Sequence, residues 1–157
     1  IERTYIALTR GAPSPEKGRI ESLIGRSPHD RKKMAVLKGG GRNAITDYVV
    51  EATFGQPAKA SGAPMAARVA CTLHTGRTHQ IRVHLASKGA PLLGDPVYGS
   101  GSPTAAVREA VSQVGLTRQA LHAAILGFKH PVTGEHLRFE TAPPQDMQDL
   151  EALLSEL

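Results

Sequence analysis

The stretch Ala44-Ile45-Thr46-Asp47-Tyr48-Val49-Val50-Glu51-Ala52-Thr53-Phe54 constrains the chain most. Its β-branched and aromatic side chains fit a pleated, half-buried surface and lose freedom in a helix, so it reads as a strand. One strand is not stable alone, and the flanking sequence supplies partners. Residues 4–10, 18–24, 33–37 and 67–73 are shorter runs of the same kind. They are separated by Gly11-Ala12-Pro13-Ser14-Pro15, by the glycines of 38–42, and by a Gly-, Pro- and Ser-containing stretch at 56–64 that reads as a hairpin loop. The period then changes. Ile81, His84, Leu85 and Lys88 recur at three- and four-residue steps, which predicts a helix from an N-cap at Thr78 to a stop at Gly89. Residues 105–114 form a second helix candidate, with Val107, Ala110, Val111 and Val114 on one face. Residues 119–128 read as a strand, 132–135 as a turn and 136–140 as the returning strand of a hairpin. Pro143-Pro144 opens a last helix whose apolar face is Met147, Leu150, Leu153 and Leu154. The expected class is α+β, a mostly antiparallel mixed sheet with flanking helices.

At 157 residues the chain is one domain's worth, large enough to bury about 70% of its unfolded surface without staples. Its one cysteine, Cys71, cannot make an internal disulfide, and no Cys/His cluster has zinc-finger spacing; a reducing, cytoplasmic setting is the simplest fit. No apolar run approaches the ~18 residues of a membrane span, and Ile1-Glu2-Arg3-Thr4 has no signal-peptide core. Residues 4–8 enter a strand with no lead-in, which gives the expectation that the chain begins further upstream, a trimmed but complete small domain being the alternative. Lys and Arg exceed Asp and Glu by 19 − 14 = 5, and the pI is 9.7. That balance suits a polyanion, whose condensed counterions basic side chains replace. Arg31-Lys32-Lys33 and the charged ends of Lys38-Gly39-Gly40-Gly41-Arg42 concentrate five positive charges between strands, either as an RNA-backbone contact or as a solvated loop.

Leu73 to Val83 concentrates the chemistry. A strand ends at His74, Thr75-Gly76 turns the chain, and a helix starts near Thr78. The free N–H groups and positive dipole end of such a helix attract anions, and Arg77 lies at that end. Arg82, one turn on, sits beside Ile81 and Leu85. A guanidinium among apolar residues needs a carboxylate or phosphate partner, or else snorkels to solvent.

The run Leu73-His74-Thr75-Gly76-Arg77-Thr78-His79-Gln80-Ile81-Arg82-Val83-His84 resembles the signature near the C-terminus of the RluA-type pseudouridine synthases of ribosomal and transfer RNA. Three further blocks follow the same family in order: Arg3-Thr4-Tyr5-Ile6-Ala7-Leu8 near the start, Leu92-Leu93-Gly94-Asp95-Pro96-Val97-Tyr98-Gly99 after the signature, and Leu121-His122-Ala123 with Phe128-Lys129-His130-Pro131 and Thr133-Gly134-Glu135 later. The resemblance implies a pseudouridine synthase-like catalytic domain that isomerises a uridine flipped out of folded RNA, first of all ribosomal RNA, with no cofactor and no metal. It implies that Tyr5 stacks on the base and is a candidate to remove the C5 proton, and that Arg82 pairs with the catalytic aspartate. By the same resemblance Arg77 touches RNA phosphate and Leu92 or Leu93 walls the base. Asp95, following Gly94, reads as a turn or cap residue rather than a catalytic one. Arg31, Lys32 and Lys33 are the remaining candidate RNA contacts.

One departure stands out. The family's nucleophilic aspartate belongs to a His-Arg-Leu-Asp block with a Thr-Ser-Gly-type turn, and no such block occurs here; His29-Asp30 lacks that context, and Asp47 lies within a structural strand. The expectation is that residues 1–157 are the C-terminal portion of a single catalytic domain, inactive alone and monomeric, with Arg82 left to a solvent ion, another acid or water. A non-catalytic RNA-binding module of the same fold is the alternative. A metallohydrolase using His74, His79 and His84 is a third reading, weakened because five-residue spacings do not share a helix face.

Overall fold

The computed structural model describes residues 1–55, 62–99 and 101–157. The strands are β1 Glu2–Arg10, β2 Lys17–Arg26, β3 Met34–Leu37, β4 Arg42–Phe54, β5 Ala66–Leu73, β6 Leu121–Lys129 and β7 His136–Glu140; the helices are α1 Gln80–Ser87, α2 Ala105–Val114 and α3 Gln145–Leu154. The expected hairpin loop at 56–64 lies partly outside the described residues. Among the described residues no helix is long and apolar enough to cross a membrane.

The strands form one sheet in the order β3-β2-β4-β5-β1-β6-β7, and each described pairing is antiparallel. The expected mixed character is therefore absent from these ladders. β5 and β6, joined through α1 and α2, run the same way, but β1 lies between them and pairs antiparallel with both. The basic stretch resolves into two turns on either side of β3, with Arg31-Lys32-Lys33 before it and 38–41 after it.

Side chains alternate across the sheet, so the register assigns each residue to a face. Tyr5 lies opposite Cys71, Cys71 opposite Tyr48, and Arg42 opposite Ile24. This face carries Ala7, Ile20, Val69, Cys71 and Leu73 and is covered by Ile81 and Leu85 of α1 together with Leu92. The other face presents Leu8, Phe54 and Ala66 to Val107 and Ala110 of α2 and to Met147, Leu150 and Leu154 of α3. The apolar stripes read from helical spacing are thus the ones that cover the sheet.

Candidate active site

β5 delivers the chain to a turn that Gln80 organises. Thr75 Oγ1 accepts the Ile45 N–H at 2.9 Å and donates to Gln80 Oε1 at 2.7 Å. The same Oε1 accepts the Arg77 N–H at 3.0 Å. Gln80 Nε2 donates to the Ile45 carbonyl at 3.0 Å and to Thr46 Oγ1 at 2.9 Å. Gln80 is buried with its acceptor and both donors used, which binds the turn to β4. The three-residue reach back to the Arg77 N–H is the one a capping box uses.

This arrangement corrects the expected helix start. The N-cap is His79, not Thr78, at φ 56° and ψ 25°, with no side-chain cap bond. A left-handed non-glycine residue costs roughly 1–3 kcal/mol and persists only where its surroundings hold it. Here His79 Nδ1 shares a 2.8 Å hydrogen bond with Tyr98 Oη, which also accepts the Met34 N–H at 2.9 Å. Burial, reinforced by the nearby Arg82 charge, lowers the His79 pKa.

Arg82 has found an acid within the chain. Its Nε and Nη2 donate to the two Asp95 oxygens, each at 2.9 Å, and its Cζ stands 4.9 Å from the Tyr98 ring centre. The two side chains are 10% and 0% exposed. The hydrogen bond to Asp95 raises the Arg82 pKa against the cost of burial. Burial alone would raise the Asp95 carboxyl; Arg82 and the N–H groups of Val97 and Tyr98 outweigh it and hold the acid below its ordinary range. Asp95 also closes the expected turn, since its Oδ1 accepts those two N–H groups at 2.9 and 3.1 Å.

Tyr5, Arg77 and Arg82 line one cavity of about 310 Å³, walled further by Leu73, His79, Gln80, Ile81, Gln119 and Leu121. The Tyr5 ring packs against the core under α1, and its hydroxyl has no hydrogen bond to the described residues. No carboxylate is among the wall residues. Leu92 and Leu93 do not line this cavity. Leu92 is buried in the core beneath it, and Leu93 faces α2 and α3. Backbone bonds hold Leu93 there: its N–H donates to the Leu8 carbonyl, and its carbonyl accepts the Ala120 N–H, each at 2.9 Å, while Leu92 bridges antiparallel to Thr9 of β1. Arg31, Lys32 and Lys33 stand apart on the β2–β3 turn.

The three histidines of the metal reading do not converge. His74 Nε2 meets Asp47 at 2.6 Å, His79 meets Tyr98, and His84 is buried between Ser22 Oγ at 2.9 Å and Thr46 Oγ1 at 2.8 Å. Burial lowers His84 to about 4. Sequence reasoning missed Gln80, His79 and Gln119 as wall residues; Arg77 stands where a capping box would have Ser or Thr, so no local motif marked Gln80.

The family model for RNA pseudouridylate synthase matches residues 1–87. The chain belongs to this family. Among its relatives, a chloroplastic RNA pseudouridine synthase 2 of Arabidopsis thaliana is 42% identical over 98% of this chain and 38% of its own length. A ribosomal large subunit pseudouridine synthase D of Neisseria meningitidis is 43% identical over 98% and 39%. The chain spans less than half the length of these relatives. The solved human RNA Pseudouridylate Synthase Domain Containing 1 superposes with a TM-score of 0.69 at 29% identity, covering 91% of this chain and 55% of that one. Human RNA Pseudouridylate Synthase Domain Containing 4, at 24% identity, shares the fold with a TM-score of 0.72 over 98% and 62%. The RluA-type resemblance of the signature and the α+β class are thereby established for this chain.

Proposed function

We propose that this chain is the Tyr5- and Arg82-bearing portion of an enzyme that isomerises uridine to pseudouridine in structured RNA, with ribosomal RNA as substrate. The observation that carries the reading is the convergence of Tyr5, Arg77 and Arg82, from two motif blocks distant in sequence, on one cavity in a member of this family. The base enters the cavity, is cut from C1′, rotates, and is rejoined through C5. Tyr5 stacks on it, with an uncommitted hydroxyl available toward the C5 proton. Arg77 meets phosphate at the mouth.

The nucleophilic aspartate comes from outside residues 1–157, in keeping with a wall that holds no carboxylate and with Asp95 committed to Arg82 and its turn. In the active form Arg82 turns its remaining nitrogen, Nη1, toward that aspartate. The protein works as a monomer in the cytoplasm and needs no cofactor. Tritium release from RNA labelled at uridine C5 tests this. None is expected from the chain alone, and release is expected once the gene's upstream portion is restored. Release by this chain alone would give the nucleophilic role to a local acid, Asp47 or Asp95. RNA binding without release in either form would make the protein a non-catalytic RNA-binding module.

A further inference from the structure

Beside the base cavity lies a second cleft, of about 520 Å³, walled by Arg26, Arg42 and Arg77 with the backbone of Gly40, Gly41 and Gly76. We infer that it is a phosphate-reading site that holds the RNA backbone next to the nucleotide whose base enters the Tyr5 cavity. The inference rests on the proposed function and adds which residues set the path of the strand.

Charge balance is the first argument. Arg19, Arg68, Arg82, Arg118 and Arg138 are each held by a carboxylate. The arginines of the cleft are not. Arg26 Nη1 donates to the Arg31 carbonyl at 2.9 Å and Arg77 Nε to the Asn43 carbonyl at 2.8 Å, while Arg42 has no partner among the described residues. A carbonyl fixes a guanidinium without neutralising it, and it leaves the rest of the planar fork free for the paired oxygens of a phosphate. No acidic residue is among the cleft walls. Three like charges gathered in this way repel one another until an anion joins them.

Position is the second argument. By register Arg26, opposite Met34, and Arg42, opposite Ile24, leave the sheet on the Tyr5 face. Arg77 lines both cavities, so base and backbone sites share a wall. Arg3 extends the strip toward Tyr5. A Cβ on Gly76 would stand 2.6 Å from Arg3 Nη1, so the glycine makes room for this guanidinium, whose buried Nε has no partner. A wall of glycine backbone also admits a sugar–phosphate chain closer than side chains would. On this account Arg31, Lys32 and Lys33, on the turn beyond β2, contribute less than Arg26 and Arg42.

The test pairs a double variant, Arg26→Gln with Arg42→Gln, with Lys17→Gln at the far end of β2 as the charge control. Affinity for a uridine-containing structured RNA is followed by fluorescence anisotropy between roughly 50 and 200 mM salt. The double variant should bind at least about tenfold more weakly at low salt, and the slope of log affinity against log salt should shrink by roughly 1.5, two phosphate contacts' worth. In the isomerising form KM should rise while kcat holds. An RNA carrying one neutral methylphosphonate beside the target uridine should bind the native protein more weakly, a result independent of how any variant folds, and should leave the double variant indifferent. Competition by inorganic phosphate at equal effect per phosphate would make the cleft a free-anion site and overturn the assignment to RNA. An unchanged slope and affinity in the double variant, with isomerisation intact, would overturn the cleft alone. Absence of isomerisation from every form would instead overturn the function on which it rests.

Discussion

Against α2 and α3 the fully buried side chains among the described residues are apolar, Leu8, Phe54, Leu93, Met147, Leu150 and Leu154 among them, with Arg68 half-buried against Glu151 of α3. Against α1 it also buries Thr46, Gln80, Arg82, His84 and Asp95. The two faces also carry a matched pair of ion pairs. Arg82 and Asp95, on the α1 face, meet at 2.9 Å with side chains 10% and 0% exposed; Arg118 and Asp146, beside α3, meet at 2.7 Å with 44% and 36% exposed. Nearly equal distances in unequal environments separate what geometry contributes from what burial contributes. The α2/α3 face tolerates loss because water can replace a partner there. The α1 face holds its site rigid because nothing else can satisfy its polar groups once they are buried.

The strongest way to break that contrast is Asp95→Ala. It leaves the Arg82 guanidinium buried without its acid and orphans the Val97 and Tyr98 N–H groups, and a loss of about 3–5 kcal/mol is expected in urea unfolding. Adding Arg82→Met should recover part of it, since the stranded charge is gone while the turn's N–H groups remain unsatisfied. A loss below about 1 kcal/mol for the single variant would mean that burial does not distinguish the pairs.

The next effect is set by pH. His84 sits neutral between two hydroxyls, with its pKa lowered from 6.5 to about 4. An unfolded chain binds this proton below 6.5 and the folded one resists it, so the unfolded state holds more protons across that window and stability falls as pH drops. The loss should reach roughly 3 kcal/mol by pH 4 and then level off. His79, also lowered, adds in the same direction. Asp47, held at about 2 chiefly by the Arg19 hydrogen bond, and Asp95 lose their contributions only below their ordinary 3.8, outside this window. Melting curves of His84→Asn should be flatter between pH 6.5 and 4 than those of the native chain; equal slopes would remove His84 as the cause.

These contacts also show what a sequence reveals. Each strand and helix was legible because period and turn residues are local properties, as with the β-branched run of β4 and the Leu150 stripe of α3. From Ile81 and Leu85 beside it, the choice facing Arg82 was legible too, an anionic partner or a snorkel to solvent. Its partner was not. Asp95 reaches Arg82 only because Gly94 turns at φ 74° with its Cα so close to the Arg118 carbonyl that a Cβ would stand 2.3 Å away. The Tyr98 bond to Met34 spans 64 residues, and no local pattern announces it. Likewise the arginines of the phosphate cleft come from β2, β4 and the turn before α1. The sequence marked the charge at 31–33, where residues are adjacent, whereas the sheet gathers Arg26, Arg42 and Arg77, which are not.

The smallest effect closes the comparison of the ion pairs. Arg118 Nη2 straddles both Asp146 oxygens at 2.7 Å, shorter than either bond in the buried pair. If distance governed, Arg118→Ala would cost as much as Asp95→Ala. Both groups are more than a third exposed, so water solvates each when the other is removed, and the long arginine regains side-chain entropy. Asp146 keeps a second role by accepting the Met147 N–H at 2.8 Å in the first turn of α3, which its aspartate oxygen performs with or without Arg118. Arg118→Ala should therefore cost less than about 1 kcal/mol in urea unfolding, and the difference should vanish at 1 M salt, where the screening length falls to about 3 Å. A loss that survives that salt would place the pair in a protected environment and erase the distinction between the two faces.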